Sequence, residues 1–168
     1  MTVYLPEETY GALTIKNTTG AVSLEHITAE NVTITVSTGH VTVTDVSCSE
    51  TMRVKTTTGK TTLKNVQCGN LWSDGITGDI TMKQVEATGE LCVERTTGNV
   101  TLNHCDAREI DITTSTGNVT GSLLSPKNYE ISTTTGKVSV PTRSSCADET
   151  NGICNLKTTT GNITITEE

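Results

Sequence analysis

An all-β, single-domain parallel β-solenoid (β-helix) is the fold class the sequence predicts, and three observations predict it. A Thr-Gly corner recurs at Gly20, Gly39, Gly59, Gly78, Gly98, Gly117, Gly136 and Gly161, at successive intervals of 19, 20, 19, 20, 19, 19 and 25 residues. Apolar residues stand two apart on either side of each corner. The composition has no Phe, 2% aromatic residues and 3 prolines, so Val, Ile, Leu and Thr must fill the interior, as suits strands on a pleated surface. A fixed period of this size means units that stack on their own copies.

Residues 1–12 are expected to form a lead-in strand, Val3-Tyr4-Leu5, stopped by Pro6 and an acidic turn. Residues 13–168 carry the repeats, with an inserted loop at 141–152 that explains the last, 25-residue interval. Seven before each glycine stand Leu13, Val32, Met52, Leu71, Leu91, Ile110, Tyr129 and Cys154, and five before stand Ile15, Ile34, Val54, Ser73, Val93, Ile112, Ile131 and Leu156. The residues two and four after are equally apolar, Val41 and Val43 or Val100 and Leu102 for example. Two short strands with one buried face therefore meet at each corner. A third inward position falls seven after glycine, from Ile27 through Val46 and Cys105 to Leu124, and a small one nine after, at Ala29, Cys48, Cys68, Ala87 and Ala107.

Successive units share one template, which argues against a propeller with two units per blade. The Asn or Cys ladder of leucine-rich repeats, the six-residue rhythm of hexapeptide acyltransferases and the Gly-Gly-x-Gly-x-Asp of calcium-binding repeats are all missing. About eight coils are expected, right-handed, in a rod roughly 38 Å long at ~4.8 Å per coil. Glycine supplies the positive φ of a tight corner, and the threonines before it can pass hydroxyl hydrogen bonds along the stack.

The fourth unit departs from the template. Ser73 replaces an aliphatic residue and Gly75 stands three before the corner, so a bulge or flattened strand is expected there. At the far end Ile163-Thr164-Ile165-Thr166 is expected to close the stack, with Glu167 and Glu168 blunting the edge. Of the six cysteines, Cys48, Cys68, Cys105 and Cys154 fall in core positions and read as reduced, small apolar residues. Cys146 falls in the inserted loop.

The net charge of −7 and pI near 4.9 exclude a basic stripe for nucleic acid, and disfavour anionic membrane surfaces. No apolar run is long enough to span a membrane and no signal peptide precedes the repeats; the chain reads as an excised domain. No metal-ligand spacing or nucleophile elbow is present, and neither a cofactor nor a metal is expected. The outward hydroxyl row three after glycine lacks the second threonine row of an ice-binding face. Acids for a lyase or hydrolase site would be Asp74, Asp79 and Glu94, near Lys55 and Arg53, but His26, His40 and His104 do not converge on them. Trp72, the single tryptophan, stands at an outward position with Arg53 one coil away, either as a cation–π pair or as a stacking platform for a sugar. Trp72, Arg53 and Asp74 are the ligand-binding candidates.

The opening Tyr4-Leu5-Pro6 and the recurrent strand, Thr-Thr-Gly, strand pattern, as in Met52-Arg53-Val54-Lys55-Thr56-Thr57-Thr58-Gly59, resemble a bacterial family of adhesin-like domains of unknown function, over almost the whole chain. The resemblance implies a parallel β-solenoid that is usually exported or membrane-tethered through a segment outside this domain, with no established active site to transfer. The expectation is therefore a non-catalytic module for binding or scaffolding at the cell envelope or outside the cell, with a cell-wall glycan or another envelope protein as partner, and self-association as a further expectation. The alternatives are a carbohydrate-active enzyme on the same fold, and a sensor or assembly scaffold with a cytoplasmic address.

Overall fold

Among the described residues every strand pair is parallel and joins one coil to its neighbour. The structure, a computed structural model, describes residues 5–6, 8–141 and 152–167; the expected strand at Val3-Tyr4 and most of the inserted loop, Cys146 included, lie outside the described residues. The elements are β1 (Thr9–Thr19), β2 (Val22–Thr38), β3 (Val41–Thr58), β4 (Thr61–Thr77), β5 (Ile80–Thr97), β6 (Val100–Thr116), β7 (Val119–Leu123), β8 (Lys127–Thr135), β9 (Val138–Ser139), β10 (Gly152–Thr160) and β11 (Ile163–Glu167). From β1 to β6 each strand pairs with the next, keeping the predicted columns in register: Leu13 on Val32, Met52 on Leu71, Leu91 on Ile110. These columns are the core. Val32, Met52, Leu71, Leu91 and Ile110 are fully buried, as are Val41, Ile80 and Val100 from the strand after the corner.

The stack makes about six turns, not the expected eight coils. The first unit contributes only β1, and the last two units are broken into the short strands β7 to β11.

Three corners bend each regular coil. At the first, all eight repeat glycines have positive φ, from 120° at Gly20 to 157° at Gly117 and Gly136. A Cβ at Gly39, Gly59 or Gly98 would overlap the carbonyl of the glycine one coil below, so the position has no room for a side chain. The stack here is held by backbone: the N–H of Gly39 donates to Thr58 O and that of Gly59 to Thr77 O, both at 2.9 Å. The hydroxyls expected to help come from another place, three before glycine. Thr114, Thr133 and Thr158 each donate to a corner glycine carbonyl, those of Gly98, Gly161 and Gly117, at 3.1 to 3.3 Å.

The second corner, six after glycine, was not foreseen. His26, Asp45, Asn65, Gln84 and His104 all lie there with φ between 48° and 56°. His26 and His104 thus share one column. The third corner absorbs the alternation between 19 and 20 residues. The register slips between Cys48 and Thr51 and between Ala87 and Glu90, so the extra residue of each longer coil is confined to that edge.

The end of the stack differs most from expectation. β10 pairs with β6 on one side and β8 on the other, and β11 lies between β7 and β9. The C-terminal unit is therefore the penultimate layer, and the corners stack in the order Gly117, Gly161, Gly136. Glu167 does not blunt an outer edge; its Oε1 accepts the Tyr129 hydroxyl at 3.0 Å and the Lys127 N–H at 3.3 Å. Leu124, assigned to the inward column, is 40% exposed, and its neighbour Leu123 is buried instead, because the chain leaves the template there to step across a layer.

Candidate functional site

The strand before each glycine corner places residues six and four before glycine on the outer face, one coil above the next. Arg53, Trp72 and Cys92 are register neighbours, followed by Asp111, and beside them run Lys55, Asp74 and Glu94. The Arg53 guanidinium carbon sits 4.3 Å from the centroid of the Trp72 ring, within cation–π range. Both predicted partners therefore meet, and one face of the indole is covered by Arg53.

Two residues further along the strand, Lys55, Thr57, Asp74, Ile76, Glu94 and Thr96 line an open cavity of about 420 Å³. Ile76 is 55% exposed on its rim. The face is electronegative: burial first, and then the carboxylates of Asp111, Glu94, Asp74 and Glu90, push the Cys92 thiol up to about 11. Asp79 does not join this group. It stands just after the glycine corner, where its Oδ1 accepts the Asn99 N–H at 2.8 Å and Asn99 Nδ2 at 3.2 Å. It belongs to a ladder in which Asn99 Oδ1 takes the Asn118 N–H, Asn118 Oδ1 that of Asn162, and Asn162 Oδ1 that of Lys137.

Behind the cavity lies a buried charge that sequence reasoning missed. Arg95, three before Gly98, occupies an inward position filled by Val36, Thr56 or Thr114 in other coils, and is only 5% exposed. Its Nη2 donates to Ser73 Oγ at 3.0 Å and reaches Thr61 Oγ1 at 3.4 Å. Nε and Nη1 are buried without a hydrogen-bond partner. A Cβ on Gly75 would overlap Nη1. The irregularities of the fourth unit now have one cause: Gly75 makes room for the guanidinium, and Ser73 and Thr61 give it acceptors. The expected bulge at Ser73–Gly75 is absent, and β4 keeps its register through both residues. Burial lowers the Arg95 pKa, and Asp74 on the outer face opposes that shift. The signal was available in the sequence, since Arg95 and Gly75 are neighbours in one column.

A second cavity, of about 550 Å³, lies at the third corner where β8 and β10 begin, lined by Asp106, Arg108, Ser125, Lys127 and Ile153 among others. Lys127 is buried, and its Nζ donates to Asp106 Oδ1 at 2.6 Å and Ser125 Oγ at 2.7 Å. The five described cysteines, Cys48, Cys68, Cys92, Cys105 and Cys154, are free thiols. Cys48 and Cys68 are register partners, yet their sulfurs turn apart, to Glu30 O at 3.0 Å and Glu86 O at 3.9 Å. Burial pushes Cys68 and Cys154 up to about 12 and Cys105 to about 11, which keeps them protonated. Among the described residues no group of three or more His, Cys, Asp or Glu could hold a metal ion, and no helix is long and apolar enough to cross a membrane.

A stack of parallel strands with one glycine corner per turn is the setting for the comparison with known families. The signature of the Toastrack family, DUF4097, matches residues 1–53 and 48–168. The chain belongs to this family. A Toastrack domain is a β-solenoid of unknown function, in agreement with the stacking seen here. No curated protein and no solved structure matches the chain.

Proposed function

We propose that this Toastrack domain is a non-catalytic binding module of the bacterial cell envelope, and that the outer face carrying Arg53, Trp72, Asp74 and Glu94 takes a cell-wall glycan. The observation that supports the reading is the juxtaposition on one flat face of an indole–guanidinium pair, an open cavity and a row of carboxylates. An extended saccharide meets such a face with its apolar ring surface against the Trp72–Arg53 pair and its hydroxyls toward Asp74, Glu94 and Lys55. Strands in register on successive coils suit an extended ligand, because outward positions recur at the ~4.8 Å spacing of paired strands and set Asp74 beside Glu94 and Trp72 beside Arg53. The surface attachment implied by the adhesin-like resemblance is one form of such binding, with export through a segment beyond this domain.

Co-sedimentation of the domain with isolated bacterial cell walls tests the proposal, with anionic vesicles as the control particle. Wall binding that falls severalfold in Trp72→Ala and in Asp74→Asn, with vesicle binding absent throughout, is the expected result. No binding to walls would overturn it and direct attention to a protein partner.

A further inference from the structure

The displaced C-terminal unit is the feature of the fold that the repeat itself does not require. From β7 the chain steps over one layer to build β8 and β9, and only then returns to lay β10 and β11 in the layer it passed. Among the described residues β8 pairs with β10 alone and β9 with β11 alone. Among the described residues, the strands of the C-terminal segment are the ones that join the last coil to the rest of the stack.

The segment that closes this layer carries the four apolar template positions that flank a glycine corner. Cys154, Leu156, Ile163 and Ile165 are buried. Thr160 O accepts the Gly117 N–H at 3.0 Å, while the Gly161 N–H reaches Thr135 O at 2.9 Å on the other side. Asn162 continues the side-chain ladder in both directions. All of these contacts are made by residues 152–167, joined to the rest of the fold through the connection after Pro141.

We propose that this layer is an interaction site for a second copy of the chain: the β10–β11 segment of one molecule fills the layer between Gly117 and Gly136 of another, and the exchange is reciprocal. The same residues make the same contacts whichever copy supplies them, so the exchanged pair keeps every hydrogen bond and closes with two-fold symmetry. The ladder also argues for a closed pair over an open-ended stack. At the free end of the rod the next N–H would meet Lys137, whose ammonium has donors and no acceptor.

Refolding of the full chain from denaturant at micromolar and near-millimolar concentration, followed by light scattering on a sizing column, tests the proposal. The expected result is monomer from the dilute sample and, from the concentrated one, a dimer with native β content that persists for hours after dilution, because dissociation requires withdrawal of a buried strand. Co-refolding of isotopically light and heavy chains should give mixed dimers, whereas mixing after refolding should not. A variant with 6 residues removed between Pro141 and Gly152, the excess of the 25-residue interval over the 19-residue one, should shift toward dimer. Wild-type chains that refold only to monomer at both concentrations would overturn the proposal, whatever the shortened variant does. A dimer abolished by Val138→Lys on the exposed end coil would also overturn it, since that dimer would be end-on.

Discussion

The molecule turns with positive φ at two corners of each regular coil, and the two corners obey different rules. At the first every residue is glycine; at the second His26, Asp45, Asn65, Gln84 and His104 hold φ near 50° and none is glycine. The backbone cost of a left-handed residue is modest, about 1–2 kcal/mol, and a polar side chain facing water can bear it. At the first corner the successive coils approach so closely that the Cβ would lie on the carbonyl below. The two corners also differ in backbone, since φ near 50° is open to polar residues whereas φ of 120° to 157° is strained for any side chain; the glycine column therefore reports both that conformation and the contact between coils.

Gly98→Ala is the strongest way to break the comparison. Both a strained φ and a backbone overlap oppose it, and the cost should exceed about 4 kcal/mol, read as loss of the cooperative transition in denaturant titration or as failure to fold. Gly75→Ala comes next and sharpens the point, because this glycine has no left-handed strain and is needed chiefly for the Arg95 guanidinium, with a lesser crowding against the Thr56 carbonyl. We expect a loss of about 2–4 kcal/mol, much of it recovered in the Arg95→Ala background. A double-mutant cycle by urea denaturation checks this, and additive losses would count against a shared cause. Arg95→Met alone should leave stability unchanged or raise it by about 1–2 kcal/mol, because it removes a buried cation with two N–H groups unpaired.

Gln84→Gly should have the smallest effect of the substitutions, a gain below about 1 kcal/mol, since relief of the left-handed strain is partly offset by chain entropy. A loss above 1 kcal/mol would show that the second corner depends on its side chains. Titration gives a final contrast between core and surface. Cys68, Cys105 and Cys154 hold their protons to between about 11 and 12 in the fold, against 9.0 for a free thiol. The unfolded chain therefore binds fewer protons between pH 9 and 12, and stability falls as pH rises through that window, by up to about 1.4 kcal/mol per pH unit for each thiol. Urea midpoints measured from pH 7 to 11 check the slope, and Cys105→Ala should reduce it.

The fold was legible because its signal repeats. Leu13, Val32, Met52 and Leu71 show the same inward position four times over, and each copy corrects the noise of the others. What escaped was whatever occurs once. Arg95 looks like a surface residue until its column neighbour Gly75 is set against it, and the displaced order of β10 and β11 leaves no trace beyond one long interval, because both units fit the same template. At the candidate site the Arg53–Trp72 pair could be read from the period alone. The separation of Asp79 from Asp74 and Glu94 could not, since it depends on where the corner turns.

The third corner, where single extra residues come and go without disturbing the strands on either side, has a practical consequence. It is the edge at which foreign sequence can be grafted. Peptides inserted after Cys48, Cys68 or Ala87 would project from successive turns in a single file, about 5 Å apart, which turns the domain into a ruler for presenting short epitopes at molecular spacing.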